Sequence, residues 1–234
     1  KIGGETKWVL LVSMNPGGPN GGSATQYFIG NFNGKTFKND NSPETVLWLD
    51  HGRDNYAGVT WSNAPNKRHI FLGWMSNWDY AQKVPTEKWR SAMTLPRELT
   101  LRQTKKGTRL VQNAVKETES LRSDRFLDVR THSVEKELSL GDGKGTLIEM
   151  DLEIDLSKTT AKEFGVELTN ARGESFRVGY DTQSSRFYSD RTNAGEKSFS
   201  DLFSKDKHFA VRSSQNRRLR LHLIFDVSSA EMFA

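Results

Sequence analysis

In "TLIEMDLEIDL" (residues 146–156), apolar residues alternate with acids from Ile148 onward. One series is wholly apolar: Ile148, Met150, Leu152, Ile154 and Leu156. The other holds Leu147 and four acids: Glu149, Asp151, Glu153 and Asp155. A period of two residues is typical of a β-strand with one buried and one solvated face. The stretch therefore predicts an amphipathic strand, and it makes an all-β fold the first hypothesis for the chain.

Short strand-like runs fill most of the remaining sequence. They are separated by clusters of Asn, Gly, Pro and Asp at short spacing, as in β-sheet proteins. The predicted strands are 7–13, 25–32, 45–49, 56–61, 68–75, 163–170, 175–181, 186–192, 207–213 and 218–226. Only "RLVQNAVKETESLRS" (109–123) has the length and composition of a helix, and it could form a linker. The chain as a whole is predicted to be all-β.

Charge and composition restrict the classes of partner. The 34 Lys and Arg residues exceed the 29 Asp and Glu residues, for a formal net charge of +5, but the two signs are interspersed. Nucleic-acid binding is therefore a weak hypothesis. The densest basic run, 215–225, alternates Arg218, Arg220 and His222 with leucines, which favours a solvated strand face over a binding patch. The absence of cysteine excludes disulfides and thiolate metal sites, and no apolar run approaches the ~20 residues of a membrane span.

The composition changes between residues 105 and 125. All six tryptophans precede this region, the last of them Trp89, and the last proline is Pro96. An aromatic-rich first part and a more charged second part predict a domain boundary near residue 115.

A glycine-rich segment, "SMNPGGPNGGSATQYF" (13–28), joins two apolar runs. It lacks the Gly-Lys-Ser/Thr ending of a phosphate-binding loop, and a strand rather than a helix follows it. The five histidines, at 51, 69, 132, 208 and 222, show no metal-ligand spacing, and Gly-x-Ser-x-Gly is absent. The sequence therefore predicts no metal and no cofactor.

Aromatic side chains next to Asp and Asn give the strongest functional signal. "FLGWMSNWDYA" (71–81) places Trp74, Asn77 and Trp78 around the end of a predicted strand, and "DNYAGVTW" (54–61) begins another with Asp54 and Tyr56. An exposed aromatic face can cover the apolar face of a sugar while amide and carboxylate groups bind its hydroxyls. Burial of the same tryptophans in the core is the competing interpretation, and these patterns alone leave both open.

Long ordered motifs give the chain a close resemblance to a known family. "SMNPGGPNGGSATQYFIGNFNGKTF", "DNYAGVTWSNAP", "IFLGWMSNWDYAQKVPTEKWRSAMTLPRELTL" and the terminal "FDVSSAEMFA" resemble glycoside hydrolase family 32, the β-fructosidases that include levanases, inulinases and invertases. The match is dense over residues 7–102 and continues in order to residue 234, with "SDRTNAG" (189–195) as a further motif.

The resemblance implies a five-bladed β-propeller followed by a β-sandwich. Residues 1–112 would be the rest of blade four plus blade five, 113–123 a linker, and 124–234 a sandwich that is incomplete at its C-terminus. Blade four would take strands at 7–13, 25–32 and about 36–38. Blade five would take 56–61, 69–75, 91–102 and 108–112.

The resemblance also implies a retaining mechanism with an aspartate nucleophile and a glutamate acid/base. The family carries these in Trp-Met-Asn-Asp-Pro-Asn-Gly and Glu-Cys-Pro motifs, with an Arg-Asp-Pro motif holding fructose hydroxyls, and this chain contains none of the three. "MNPGGPNGG" imitates the first, but Pro16 follows Asn15 directly, with no aspartate between them. The chain is expected to begin just after the acid/base motif, to hold no catalytic residue, and to be inactive alone.

Blade geometry places loop 14–24 and the aromatic segments on the active-site face. The expected substrate-binding residues are Trp74, Trp78, Asn77, Asp54 and Tyr56, with Asn15, Asn20 and Ser23 on the pocket-rim loop. The expected partners are a fructan or sucrose and the missing N-terminal blades, with no nucleic acid and no membrane span, in an extracytoplasmic location. The intact protein is predicted to cleave β-fructosidic bonds; the alternative is a non-catalytic fructan-binding or structural β-module.

Overall fold

The computed structural model describes residues 4–123, 127–130, 133–140 and 145–234. His132, one of the histidines considered above, lies outside the described residues. Within them the fold is built almost entirely of antiparallel strands. The all-β prediction is therefore confirmed.

Two sheets form the first half of the chain. The first has the order β1-β2-β3, with strands β1 (Trp8–Met14), β2 (Ala24–Phe32) and β3 (Phe37–Asn39). The second has the order β4-β5-β7-β8, with β6 paired to β5: β4 (Tyr56–Thr60), β5 (Ile70–Met75), β6 (Ala92–Met93), β7 (Arg97–Thr104) and β8 (Gly107–Ala114). These strands confirm the predicted strands at 7–13, 25–32, about 36–38, 56–61, 69–75 and 108–112, whereas the strand predicted at 91–102 is divided into β6 and β7.

A shared core joins the two sheets. Ile29 of β2 and Phe71 of β5 are fully buried. Tyr27, Leu49 and Leu99 complete the buried cluster between the sheets. Burial of apolar area stabilises the folded state by about 25 cal/mol per Å². The shared cluster therefore holds the two sheets together as one packed unit.

Two further sheets form the second half. One has the order β15-β14-β9: β9 (Ile148–Asp155), β14 (Arg218–Asp226) and β15 (Ser229–Phe233). The other has the order β10-β11-β12-β13: β10 (Glu163–Thr169), β11 (Ser175–Asp181), β12 (Arg186–Asn193) and β13 (His208–Val211), with a short helix α1 (Asp201–Ser204) before β13. Side chains of both sheets, such as Val178 and Leu221, share a single core.

The alternating stretch 146–156 behaves as its pattern predicts. β9 pairs with β14 so that Leu152 lies opposite Leu221, and the apolar series of β9 packs against the core. On the other face Glu153 accepts hydrogen bonds from Arg218 and Arg220, each 3.0 Å long. The basic run is thus a strand face whose charges are paired with acids of the neighbouring strand.

The structure differs from the sequence-based expectations at two stretches. Residues 45–49 are not a strand, because this segment passes β2 with only one bridge, between Gln26 and Trp48. The stretch 109–123, whose composition suits a helix or a linker, forms most of β8 up to Ala114, as the predicted strand 108–112 requires, and then a 3₁₀ helix at Lys116–Leu121. Continuous pairing of β8 with β7, from Thr104–Gly107 to Arg97–Ala114, overrides the local helix propensity.

A buried charge cluster connects the two halves. Arg97 of β7 bonds Glu231 of β15 (Nη2–Oε2 2.5 Å) and Asp50 (Nη1–Oδ2 2.6 Å), and the Leu95 N–H donates to Glu231 Oε1 at 2.6 Å. Arg97 is 6% exposed and Glu231 8% exposed. Burial raises the pKa of Glu231, although the Arg97 charge opposes this rise. At Asp50 burial again raises the pKa, but the same guanidinium, together with hydrogen bonds from the Gly52 N–H and Asn55, lowers it by more, so the pKa lies below the usual value.

Candidate functional site

The glycine-rich loop between β1 and β2 is a compact double turn. The Gly18 N–H donates to the Gly22 carbonyl at 2.9 Å, and the Gly21 N–H donates to the Gly18 carbonyl at 3.0 Å. Gly22 has a φ of +67°, and a Cβ there would lie 2.0 Å from Asn77 Oδ1. Only glycine combines this conformation with so close an approach, so the loop is shaped around the Asn77 side chain.

Asn77 joins three segments of the chain. Its amide nitrogen donates to the carbonyls of Gly21 (3.3 Å), Ser23 (3.3 Å) and Arg53 (2.9 Å). Its Oδ1 accepts from the Ser23 N–H at 3.3 Å and from the Asp79 N–H at 3.0 Å. The residue is completely buried. Asn77 is predicted to bind the sugar, but backbone groups form hydrogen bonds with both the nitrogen and the oxygen of its amide. The structure therefore gives it a supporting position.

Replacing Asn77 with alanine is expected to lower the free energy of unfolding by about 2–4 kcal/mol, because buried carbonyl and N–H groups lose their partner. Chemical denaturation of the intact protein measures this change. The matched control is Asn33→Ala, since Asn33 Oδ1 accepts only from the exposed Lys35 and Thr36 N–H groups. Equal losses in the two variants would contradict the role assigned to Asn77.

Trp78 lies beside the same loop. Its backbone N–H donates to Ser23 Oγ at 3.2 Å, and the residue is 46% exposed. Its ring centroid lies 5.0 Å from that of Trp74, which in turn lies 6.3 Å from the ring of Tyr56. These three residues are called the aromatic cluster below. The structure thus brings together the aromatic residues that the two sequence segments supply.

The members of the cluster occupy different positions relative to the second sheet. Tyr56 pairs with Trp74, and Trp74 pairs with Met93, so these three share one face. The buried Phe71 lies on the opposite face of β5 because the side-chain period is two. Trp78 lies beyond the end of β5, next to the loop. Trp78 is therefore the member of the cluster whose backbone bonds the glycine-rich loop.

Asp54 and Asn20 contact the second half of the chain. Asp54 Oδ2 accepts from Arg191 Nη1 at 2.5 Å, and its Oδ1 accepts from the Tyr80 hydroxyl at 2.6 Å. The Asn20 amide donates to the His51 and Phe209 carbonyls (2.6 and 3.0 Å) and accepts from the Phe209 N–H (2.9 Å). Both predicted site residues therefore hold the two halves together at the base of the loop.

Ser23 and Asn15 complete the predicted rim. Ser23 is buried and bonds Asn77 and Trp78, whereas Asn15 is exposed at the start of the loop, before a cis peptide bond to Pro16. The sequence reasoning did not select Arg191 as a site residue. Its motif, "SDRTNAG", contributes to the family resemblance, but Arg191 lies within β12, and no local pattern signals its contacts with Asp54 and Tyr80.

His208 lies at the same junction, next to the Phe209 backbone that Asn20 binds. It is buried, and burial together with the Arg191 charge lowers its pKa to about 4. An unfolded histidine has a pKa of about 6.5. As the pH falls from about 6.5 to about 4, only the unfolded state gains this proton, so about 3 kcal/mol of stability is lost across the window.

The His208→Gln variant is expected to lose less stability than the wild type between pH 7 and pH 4.5. Urea denaturation at the two pH values measures the difference, with His69→Gln, at an exposed histidine, as the substitution control. An equal pH dependence in His208→Gln and the wild type would contradict the prediction.

Comparison with known proteins identifies the family. The family model "Glycosyl hydrolases family 32 N-terminal domain" matches residues 1–114, and "Glycosyl hydrolases family 32 C terminal" matches residues 108–234. The chain belongs to glycosyl hydrolase family 32. The resemblance of its motifs to this family is thereby confirmed.

Relatives in family 32 match along nearly the whole chain. A levanase of Bacillus subtilis is 40% identical over 233 residues, covering 98% of this chain and 34% of that protein. The extracellular exo-inulinase inuE of Aspergillus niger is 36% identical over 241 residues, covering 99% of this chain and 45% of that protein. The chain therefore spans less than half of the length of these family 32 relatives.

Solved family 32 structures have the same fold. The exo-inulinase of Aspergillus awamori superposes with a TM-score of 0.86 at 32% identity, over 100% of this chain and 47% of that chain. The β-fructofuranosidase of Schwanniomyces occidentalis, solved with fructosyl-erythritol, superposes with a TM-score of 0.76 at 25% identity, over 99% of this chain and 49% of that chain.

Proposed function

We propose that the intact protein cleaves β-fructosidic bonds in levan, inulin or sucrose. The observation that carries this proposal is the match of both family 32 models along the chain, together with levanase and exo-inulinase relatives that align over 98–99% of it. The aromatic cluster beside the glycine-rich loop supports it, because sugar sites combine aromatic surface with a few oriented polar groups.

In this proposal, the aspartate nucleophile and the glutamate acid/base lie outside these 234 residues. The sequence has none of the three motifs that carry the nucleophile, the acid/base and the fructose-binding arginine in the family. A retaining glycosidase needs both carboxyl groups on opposite sides of the scissile bond. The 234-residue chain by itself therefore does not hydrolyse fructosides, and contributes a wall of the substrate site.

Trp78 is the residue that we assign to stacking on the sugar. It is the cluster member that lies beyond the end of β5, it is 46% exposed, and its backbone N–H is bonded to Ser23 of the glycine-rich loop. Trp74 and Tyr56 support its ring from the sheet face. Asn77 and Asp54 support the segments that carry this aromatic surface. Asn15 is the exposed polar residue of the pocket-rim loop.

The proposed architecture follows the family. Residues 1–112 are the end of a five-bladed propeller, 113–123 a linker, and 124–234 a β-sandwich. The two sheets of the first half pack face to face, as neighbouring blades do. The two sheets that share a core in the second half fit a sandwich.

An apolar face of the first sheet supports a contact with further blades. Trp8, Leu10 and Val12 alternate along β1 on the face opposite the core and are 39–53% exposed. The Phe32 ring packs against Trp8 at 5.4 Å on the same face. Contiguous exposed apolar surface marks an interaction site, and we propose that another propeller blade covers it.

An extracytoplasmic location completes the proposal. The Aspergillus relatives are named extracellular exo-inulinases. In the part of the chain that the structure describes, no helix is long and apolar enough to cross a membrane.

Fructose release tests the proposal directly. The intact protein and the 234-residue chain are each incubated with levan, inulin and sucrose, and early products are followed by NMR to assign the anomer. Fructose with retained β-configuration from the intact protein alone is the expected result. No release from any of the three by the intact protein would overturn the activity, and release by the chain alone would overturn its assignment as non-catalytic. Calorimetric titration of the chain with fructan oligosaccharides tests the alternative of a binding module.

A further inference from the structure

Arg191, on β12 of the second half, closes a ring of hydrogen bonds with two residues of the first half. Its Nη1 donates to Asp54 Oδ2 at 2.5 Å, and its Nη2 donates to the Tyr80 hydroxyl oxygen at 2.7 Å. The Tyr80 hydroxyl donates in turn to Asp54 Oδ1 at 2.6 Å. One guanidinium group therefore joins a carboxylate and a phenol that are already bonded to each other.

The surroundings fix this guanidinium in one place. Its Nε donates to the Phe203 carbonyl at 2.5 Å, and its Cζ lies 3.8 Å from the centroid of the Phe203 ring. The Tyr80 ring packs edge-on against Phe203 at 5.3 Å. The side chain of Arg191 is only 14% exposed, and charge-assisted bonds in such a shielded site are strong and directional.

The two residues that Arg191 joins lie close in sequence to the aromatic cluster. Asp54 is two residues before Tyr56, the first residue of β4. Tyr80 is two residues after Trp78, in the turn that Asn77 organises; the Tyr80 N–H donates to the Asn77 carbonyl at 3.1 Å. Displacement of either segment would move a ring of the cluster.

We propose that Arg191 is a positioning residue for the sugar site: from the second half of the chain it holds the two segments that carry Tyr56 and Trp78. This inference rests on the proposed function, since Trp78 is there the stacking ring. A ring must keep one orientation to stabilise a bound sugar, and misplacement by about 1 Å can cost up to 100-fold in rate. Arg191 acts through Trp78 and does not itself contact the substrate.

The test uses the intact enzyme with Arg191→Met, Arg191→Lys, Trp78→Ala and the double variant Arg191→Met/Trp78→Ala. The matched control is Arg177→Met, since Arg177 pairs with Asp190 (2.9 Å) in the same sheet of the second half. The measurements are kcat and KM on the best fructoside, the melting temperature, and acrylamide quenching of tryptophan fluorescence. The Trp78 contribution to the fluorescence is obtained by subtracting the spectrum of the matching Trp78→Ala protein.

Arg191→Met is expected to lower kcat/KM about tenfold and to increase quenching of Trp78, while Arg191→Lys keeps part of the activity. In the Trp78→Ala background, Arg191→Met should cost almost nothing further, because interacting positions are not additive. Arg177→Met should lower the melting temperature without changing the Trp78 fluorescence.

Additive losses in the double variant, or unchanged Trp78 quenching in Arg191→Met, would overturn the positioning role. A change in melting temperature without a change in KM or kcat would also overturn it, because Arg191 would then be structural only. An intact wild-type protein that releases no fructose contradicts the proposed function instead, so the two failures are distinguishable.

Discussion

Replacing Arg97 with methionine is expected to lower the free energy of unfolding by about 3–5 kcal/mol at neutral pH, because it leaves the buried Glu231 and the partly buried Asp50 without their counter-charge. The change removes charge-assisted bonds to two carboxylates at once. Chemical denaturation of the intact protein, monitored by fluorescence and by circular dichroism, measures the loss.

The deficit of Arg97→Met should shrink as the pH falls toward 5. Burial already raises the pKa of Glu231, and removing Arg97 takes away the charge that opposes burial at both carboxyls, leaving only hydrogen bonds from Leu95, Gly52 and Asn55 to do so. A carboxyl whose folded-state pKa is raised contributes stability at low pH that is lost as the pH rises through that pKa. The variant therefore recovers stability on acidification relative to the wild type.

Arg68→Met is the control for Arg97→Met. Arg68 pairs with Glu98 and Glu117 at the surface, where solvent screens the interaction. The expected loss in the free energy of unfolding is much smaller, and it should not shrink as the pH falls. Equal losses in the two variants would contradict the role of Arg97 as a buried charged connection between the halves.

Replacing Trp78 with alanine is expected to lower kcat/KM of the intact enzyme by the equivalent of about 1–3 kcal/mol, because the sugar loses an aromatic packing surface. This corresponds to a factor of about 5 to 150. Steady-state kinetics on levan, inulin and sucrose measure the effect. Trp89, which is 67% exposed and lies outside the aromatic cluster, provides the control variant Trp89→Ala.

If Trp78→Ala keeps the wild-type kcat/KM, the proposal that Trp78 stacks on the sugar is wrong. Equal losses in Trp78→Ala and Trp89→Ala would show that the effect does not belong to the aromatic cluster. Trp74→Ala should give a smaller loss than Trp78→Ala, because Trp74 supports the Trp78 ring from the sheet face.

The strands could be predicted because their evidence is local. In β9 and β14 every second residue is apolar, and one buried face requires this pattern. The sequence was ambiguous where strand pairing, rather than local composition, decided the structure. Residues 109–114 have helix-forming composition, but β7 supplies a complete set of hydrogen-bond partners for a strand.

The aromatic part of the candidate site was also visible in the sequence, because Tyr56, Trp74 and Trp78 lie in two short segments that pair as β4 and β5. The roles of the polar residues were not. Asn20 meets Phe209 across 189 positions, and Asp54 meets Arg191 across 137. No local pattern shows whether such a side chain faces a ligand or another part of the chain.

The contacts between the halves restrict how the protein can be recombined with its relatives. Arg97 needs Glu231, Asp54 and Tyr80 need Arg191, and Asn20 needs the backbone of β13. A chimaera with a crossover near residue 115 inherits each partner from a different parent. Such a hybrid should keep its activity when the second parent also supplies Glu and Arg at these positions, so these pairs, rather than overall identity, should guide the choice of parents.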